Sequence, residues 1–505
     1  MMASLHRFLV DYDMAMLRAL AENLGMALHT NRQTEAADQL AAALAEPSSV
    51  QVALARLSVD GRSALDTLLA AGGQMRAPQF NRHFGQVRPV GPGRLEREVA
   101  WRHPANPAEE LFYVGLIYRI FCQDERGAGE FVVIPDELRC LLPQPPAAPP
   151  FAVTTVPGPC EPSVQEATLA HDLFLYLVYV QNQDVRPYAD GRLGRRDTSA
   201  LVQQMGQPGE RRLALVHHLV ERLGFVARRN ALLRLEPAPV KGWLTAAPAC
   251  QLAVLQTAWR DDPTWFDLCH LPSLLCDVQT GWLERTDPVT TRKQVLRWLA
   301  HCPPEAWWSC VSFVAAVKAA DPDFQRPDGD YDSWYIRDAA SEVYLSGFES
   351  WDQVEGALIA DLLAGPLRWL GVVRRAESYS GPRPEGELNS LCRLTAEGAH
   401  WLGLAAGEVE VSRPAPITVG PDFLVHVPAS ASLYVRFQLE RFAELEQAEP
   451  CRYRLTASAL SRALAQGIQV EQILAFMKRA GQRPVPGGVA GQMRRWASRS
   501  EAASW

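Results

Sequence analysis

At 505 residues the chain is too long for one ordinary core, and three to five domains are expected. Its hydrophobic content of 48% and charged content of 21% are those of a globular protein, and the longest apolar run, Leu173–Val180, is far short of the roughly 20 residues that cross a bilayer. The net charge of −7 argues against a protein that coats nucleic acid indiscriminately, while scattered cysteines without a C-x-x-C pair and an N-terminus unlike a signal peptide point to the cytoplasm.

Residues 1–46 read as a helical lead-in of two helices ending before Pro47. Residues 47–142 read as a first winged helix. Helices over "SSVQVALARLS", "VDGRSALDTLLAAGG", "APQFNRHFG" and "AEELFYVGLI" precede two strands around a polar turn. Arg76, Arg82 and His83 are its candidate nucleic-acid contacts. Residues 143–164 are a proline-rich linker. A second winged helix follows at 165–238, closing with "GFVARRNALLRLEP", a hairpin with Arg228, Arg229 and Asn230 at its tip. Residues 239–288 form a Trp-rich helical connector, whose tryptophans alternate with leucine and alanine at helical spacing and so belong to a core. Residues 289–411 read as a third winged helix. It carries an acidic insertion at 321–348, expected to be solvated. Asp328, Asp330 and Asp332 there mimic part of a calcium loop but lack its sixth-position glycine and twelfth-position glutamate.

The charge is uneven. From Arg186 to Arg234 ten arginines face four acids, and from Asp321 to Asp361 eleven acids face two arginines. Arginine suits phosphate because its guanidinium fork makes paired hydrogen bonds. The candidate contacts are Arg192, Arg195, Arg196, Arg211, Arg212, Arg228 and Arg229, with Arg494 and Arg495 as a second basic edge. The alternative is that these arginines form a solvated face or pair with the acidic segment.

Catalytic signatures are absent. The four lysines, Lys241, Lys293, Lys318 and Lys478, follow Val, Arg, Val and Met, so no G-x-x-x-x-G-K-[ST] phosphate loop exists. There is no G-x-S-x-G and no H-E-x-x-H. Cys269, His270 and Cys276 match no zinc-ligand spacing, and His217 and His218, adjacent on a helix, point about 100° apart. The chain is expected to be non-catalytic and to need no cofactor or metal.

The C-terminal stretch 417–500 reads as a compact α/β unit. "ITVGPDFLVHVP" is a short alternating run and "LYVRFQLERFAELEQ" a helix. "CRYRLT" is a strand leading into Thr456 as N-cap of "ASALSRALAQG", and two more helices follow. This pattern resembles the helicase-associated domain that precedes the motor in XPB-type helicases and recurs in related bacterial proteins. The fold class expected is thus mainly α with small β-hairpins: tandem winged-helix domains followed by a small C-terminal α/β domain. The resemblance implies an accessory protein whose partners are duplex DNA or a helicase motor on another chain. No membrane or small-molecule partner is implied. The competing reading is a protein–protein interaction scaffold whose winged helices serve only for packing.

Overall fold

Asp13, Ser58, Thr395 and Thr456 each accept a hydrogen bond from the backbone amide three residues on, and each opens a helix. Such capped, amphipathic runs make the chain mainly α-helical, with small antiparallel sheets. A computed structural model describes residues 4–124, 127–143, 151–158, 168–206, 209–277, 281–282, 286–377, 390–405 and 414–502.

In chain order the helices and strands begin with α1 (Leu5–Val10), α2 (Met14–Asn23), α3 (Gln33–Leu44), α4 (Pro47–Arg56), α5 (Val59–Ala70), β1 (Gln74–Arg76) and α6 (Ala77–Phe84). Then come α7 (Pro92–Glu98), α8 (Pro107–Tyr113), β2 (Tyr118–Asp124), β3 (Gly127–Val133), α9 (Asp136–Arg139) and β4 (Thr155–Val156). The middle holds α10 (Leu169–Asn182), α11 (Arg195–Gln204), α12 (Glu210–Arg222), β5 (Val226–Arg229), β6 (Leu232–Leu235), α13 (Pro237–Thr245), α14 (Pro248–Arg260) and β7 (Leu274–Cys276). Beyond it lie α15 (Pro288–Leu299), β8 (Trp307–Ser309), α16 (Cys310–Ala320), β9 (Ile336–Asp338), α17 (Ala357–Ala364), α18 (Pro366–Trp369), β10 (Val373–Glu377), β11 (Ser390–Leu394) and α19 (Ala396–Trp401). The C-terminal part comprises β12 (Thr418–Val419), β13 (Leu424–His426), α20 (Leu433–Leu439), β14 (Glu444–Gln447), β15 (Arg452–Arg454), α21 (Ala457–Ala465), α22 (Val470–Gly481) and α23 (Gly487–Ala502).

One arrangement occurs three times among the described residues: a helix, a short strand, further helices, then a hairpin whose second strand pairs with the short strand. It is α5, β1, α6, α8 and β2–β3, with β1 against β3. It recurs as α15, β8, α16, α17 and β10–β11, with β8 against β11. In α10, α11, α12 and β5–β6 the short strand shrinks to one backbone bond, Leu233 N to Val185 O at 2.9 Å. The helix directly before the first hairpin is therefore α8.

The chain divides into two compact units. The first comprises Met1–Ala152, Cys276–Gln294 and Ala315–Gln353. Three helices, where the sequence suggests two, fill its N-terminus, because Asp13 caps a fresh start at Met14. Leu9, Leu17 and Leu40 from these helices share a fully buried core with Leu68, Phe80 and Leu111. The segment read as a solvated acidic insertion is instead packed. Phe324 and Ile336 are wholly buried, Tyr331 OH donates to Asp323 at 2.7 Å, and Trp334 stacks on Trp282 at 4.9 Å. Its aromatics outweigh its carboxylates in deciding burial, since each hides a large apolar area.

The second unit comprises Val153–Leu275, Val295–Val314 and Val354–Trp505. Most of the 143–164 linker lies outside the described residues, but its β-branched Thr155 and Val156 form a strand paired with Trp308 and Trp307. Residues 378–389, between β10 and β11, also lie outside the described residues. Trp243, Trp259, Trp265, Trp307 and Trp308 are buried, as core tryptophans should be.

In the C-terminal part of this unit, "ITVGPDFLVHVP" is two strands around a turn, and the expected long helix stops at Leu439. "ELEQ" is β14, because Glu444 faces Arg454 and Leu445 faces Tyr453 across the ladder. Cross-strand pairing overrides the local helical preference there. The sheet order is β12–β13–β15–β14, and α21, α22 and α23 close a core around Tyr453, Leu460 and Met477.

Candidate nucleic-acid interface

The helix α12 precedes the most basic hairpin and would be the groove-reading element of a winged helix. It is turned inward. Leu213, Leu215, Val216, Leu219 and Val220 are buried, and so is Arg212. Arg212 Nε bonds the wholly buried Asp172 of α10. Burial pushes the Asp172 carboxyl up, against the pull of Arg212. Arg211 grips Asp361 of α17 with both terminal nitrogens and lies over the Trp369 ring at 5.6 Å. Burial likewise raises Asp361, against the bonds from Arg211. His218 Nε2 meets Asp262 Oδ2 at 2.6 Å. Burial would raise Asp262, but Thr264 and His218 hold it below the usual carboxylate range. These partners leave α12 little free surface for a base edge, and they place Arg211 and Arg212 off the exposed basic face.

The remaining arginines gather on an exposed edge made by the loop 183–194, the start of α11 and the β5–β6 hairpin. The hairpin turns on Asn230 and Ala231, both at positive φ (50° and 64°), as a two-residue type I′ turn requires. Arg228 reaches from the hairpin to the carbonyl of Tyr188 at 2.9 Å. The Tyr188–Arg192 turn closes through Tyr188 N to Arg192 O at 2.8 Å. His217 anchors it from α12: Nε2 lies 3.0 Å from Gly191 O, and Nδ1 lies 2.7 Å from Tyr176 OH. A carbonyl can only accept, so Nε2 carries a proton, and in the neutral ring the tyrosine donates to Nδ1.

Arg192, Arg229 and Arg234 pair with Asp190, Glu236 and Asp184 at 2.5–2.9 Å. The backbone amide and guanidinium of Arg192 hold the Asp190 carboxyl below its ordinary range. Exposed pairs of this kind are weak because solvent screens them, so a phosphate can displace the carboxylate. Arg186, Arg195 and Arg196 are exposed and make no ion pair among the described residues.

The other candidate contacts are more committed. Arg494 is paired with Glu471 at 2.7 Å and Arg495 bonds Gln492, both on the exposed face of the C-terminal helices. In the first unit, Arg76 is buried, held by Asp124 and by the Gly127 and Pro327 carbonyls. Arg82 meets Asp323 at 2.5 Å and lies over Phe348 and Tyr331. Of that trio only His83 is exposed. His270 stacks on Trp265 at 3.7 Å, and no group of three His, Cys, Asp or Glu among the described residues is arranged to hold a metal.

Sequence reasoning missed Asp172 and Tyr188. An acid inside the apolar run of α10 beside an arginine-rich helix is a sign of a buried pair. A tyrosine before "ADGR" is the sign of an aromatic at a turn tip.

The chain is thus helix-rich with small antiparallel sheets, and the C-terminal part of its second unit has a four-stranded sheet packed against α21, α22 and α23. Residues 417–502 match the helicase conserved C-terminal domain family, which ties the C-terminal part of the chain to helicases. No curated protein sequence matches the chain. Among the described residues no helix is long and apolar enough to cross a membrane.

Proposed function

We propose that this chain is a non-catalytic, helicase-associated accessory protein that binds DNA through its second hairpin module. In this reading the three repeated arrangements are winged helices, and the C-terminal domain is of the XPB-associated kind, working with a motor on another chain. The observation that carries it is the exposed cluster Arg186, Arg195, Arg196 and Arg228, none of which meets a carboxylate among the described residues. Because α12 is covered, contact runs through the hairpin and the α11 edge to phosphates rather than to base edges.

The test is fluorescence anisotropy with a labelled duplex across a salt series. Affinity should fall steeply with salt, and the Arg195→Ala, Arg196→Ala double variant should lower the log–log salt slope by about 2. An unchanged slope removes this surface from the reading. A second reading, an interaction scaffold, draws on Arg76, Arg82, Arg211 and Arg212 being engaged inside the fold. It expects no duplex binding at about 100 mM salt and a protein that co-purifies.

A further inference from the structure

We propose that the Tyr188–Arg192 turn is a binding site for an unpaired strand of DNA where it leaves a duplex, with Tyr188 as the stacking platform. The inference rests on the DNA-binding reading above and narrows it to a substrate class.

Tyr188 is 54% exposed. Among the described residues its ring touches no other ring and its hydroxyl makes no hydrogen bond. Other exposed tyrosines are spoken for: Tyr335 and Tyr344 face each other at 6.4 Å. The backbone beneath Tyr188 is fixed. Its amide donates to Arg192 O, and its carbonyl accepts from Gly191 N at 3.1 Å and from Arg228 Nη2 at 2.9 Å. His217 holds Gly191 O from below. An aromatic ring on a fixed pedestal loses little freedom on binding.

The surroundings define the ligand. Arg186 and Arg192 flank the ring in sequence, Arg195 and Arg196 follow, and Arg228 touches the same turn, so a phosphate backbone is the natural neighbour. Inside a duplex both faces of a base are covered by its neighbours in the stack. A protein ring can stack only on a base that has lost one of them. With α12 closed to the groove, a sequence-tolerant stack is the base contact this edge offers.

The test uses the full chain and two labelled probes at one salt concentration: a covalently closed circular duplex with no unpaired bases, and a linear duplex of the same sequence with a single-stranded tail. The tailed probe should bind about fivefold or more tightly. Tyr188→Ala should abolish that preference, bringing the ratio of the two affinities to about one, and Tyr188→Phe should retain it. A 2-aminopurine at the first unpaired position should be quenched by the wild type and by Tyr188→Phe but not by Tyr188→Ala. Equal affinity for the two probes, or a tail preference that survives Tyr188→Ala, overturns the inference. If the circular duplex still binds and depends on Arg195 and Arg196, the broader DNA-binding reading survives that result. If neither probe binds, both fall together.

Discussion

Arg211 and Arg212 are neighbours in sequence and both end on carboxylates, yet neither resembles the arginines twenty residues upstream. Arg212 and Asp172 are buried together. Truncating Arg212 to Ala would strand a buried carboxylate, with an expected loss of about 3–5 kcal/mol in urea unfolding. Arg192→Ala, which removes an exposed pair with Asp190, should leave the urea midpoint essentially where the wild type has it. Glu109 gives a pH-dependent case. Burial would raise its pKa, but it accepts from Arg88 Nε, Arg88 Nη2, Arg88 N and Ala105 N, and the net direction is down from 4.5. A lowered folded pKa stabilises the fold above the unfolded value and loses that contribution as pH falls through the folded one. Glu109→Gln should therefore reduce stability near neutrality and flatten the acid limb of a urea-midpoint series between about pH 3 and pH 6. An acid limb as steep as the wild type's would contradict this assignment.

At the scale of the element, the second hairpin carries a cost the sequence does not advertise. Ala231 sits at φ 64° in the turn, where a Cβ is crowded and glycine is at ease. Ala231→Gly should raise stability by roughly 1 kcal/mol, read as an upward shift in the urea midpoint; a downward shift would show that the turn is unstrained. The strand β14 shows the opposite balance, a helix-favouring "ELEQ" held extended by Arg454, whose guanidinium meets Glu446 at 2.6 Å. The covered face of α12 bears most on the proposed function: the helix directly before the basic hairpin is part of a core.

At the scale of the whole molecule, each unit is assembled from three separated stretches. The first has Arg82 of α6 bonded to Asp323 and Arg76 bonded to Pro327 O, residues distant in sequence. A fragment of residues 1–152 leaves those partners behind and should unfold at lower urea than the full chain. The C-terminal domain has its own sheet and its own core. A fragment of residues 414–505 should give one cooperative transition by circular dichroism; a gradual, sloping loss of signal would mean that it depends on the rest of the second unit.

The helices were legible because apolar periodicity and the cap at Thr456 are local signals, and the β2–β3, β5–β6 and β10–β11 hairpins because strand alternation and turns are local too. The basic stretch 186–234 was also legible as composition. The sequence alone thus determined the mainly α class, the repeating hairpins and the resemblance of the C-terminal domain. Which arginines face outward was decided only by tertiary structure. Arg212 and Arg192 are chemically identical, and only the packing of α10 and α17 around α12 supplies Asp172 and Asp361 to claim one group. The same packing leaves Tyr188 and its neighbours in solvent. Burial is a property of distant contacts, and a desolvated charge must take whichever partner the fold brings within reach.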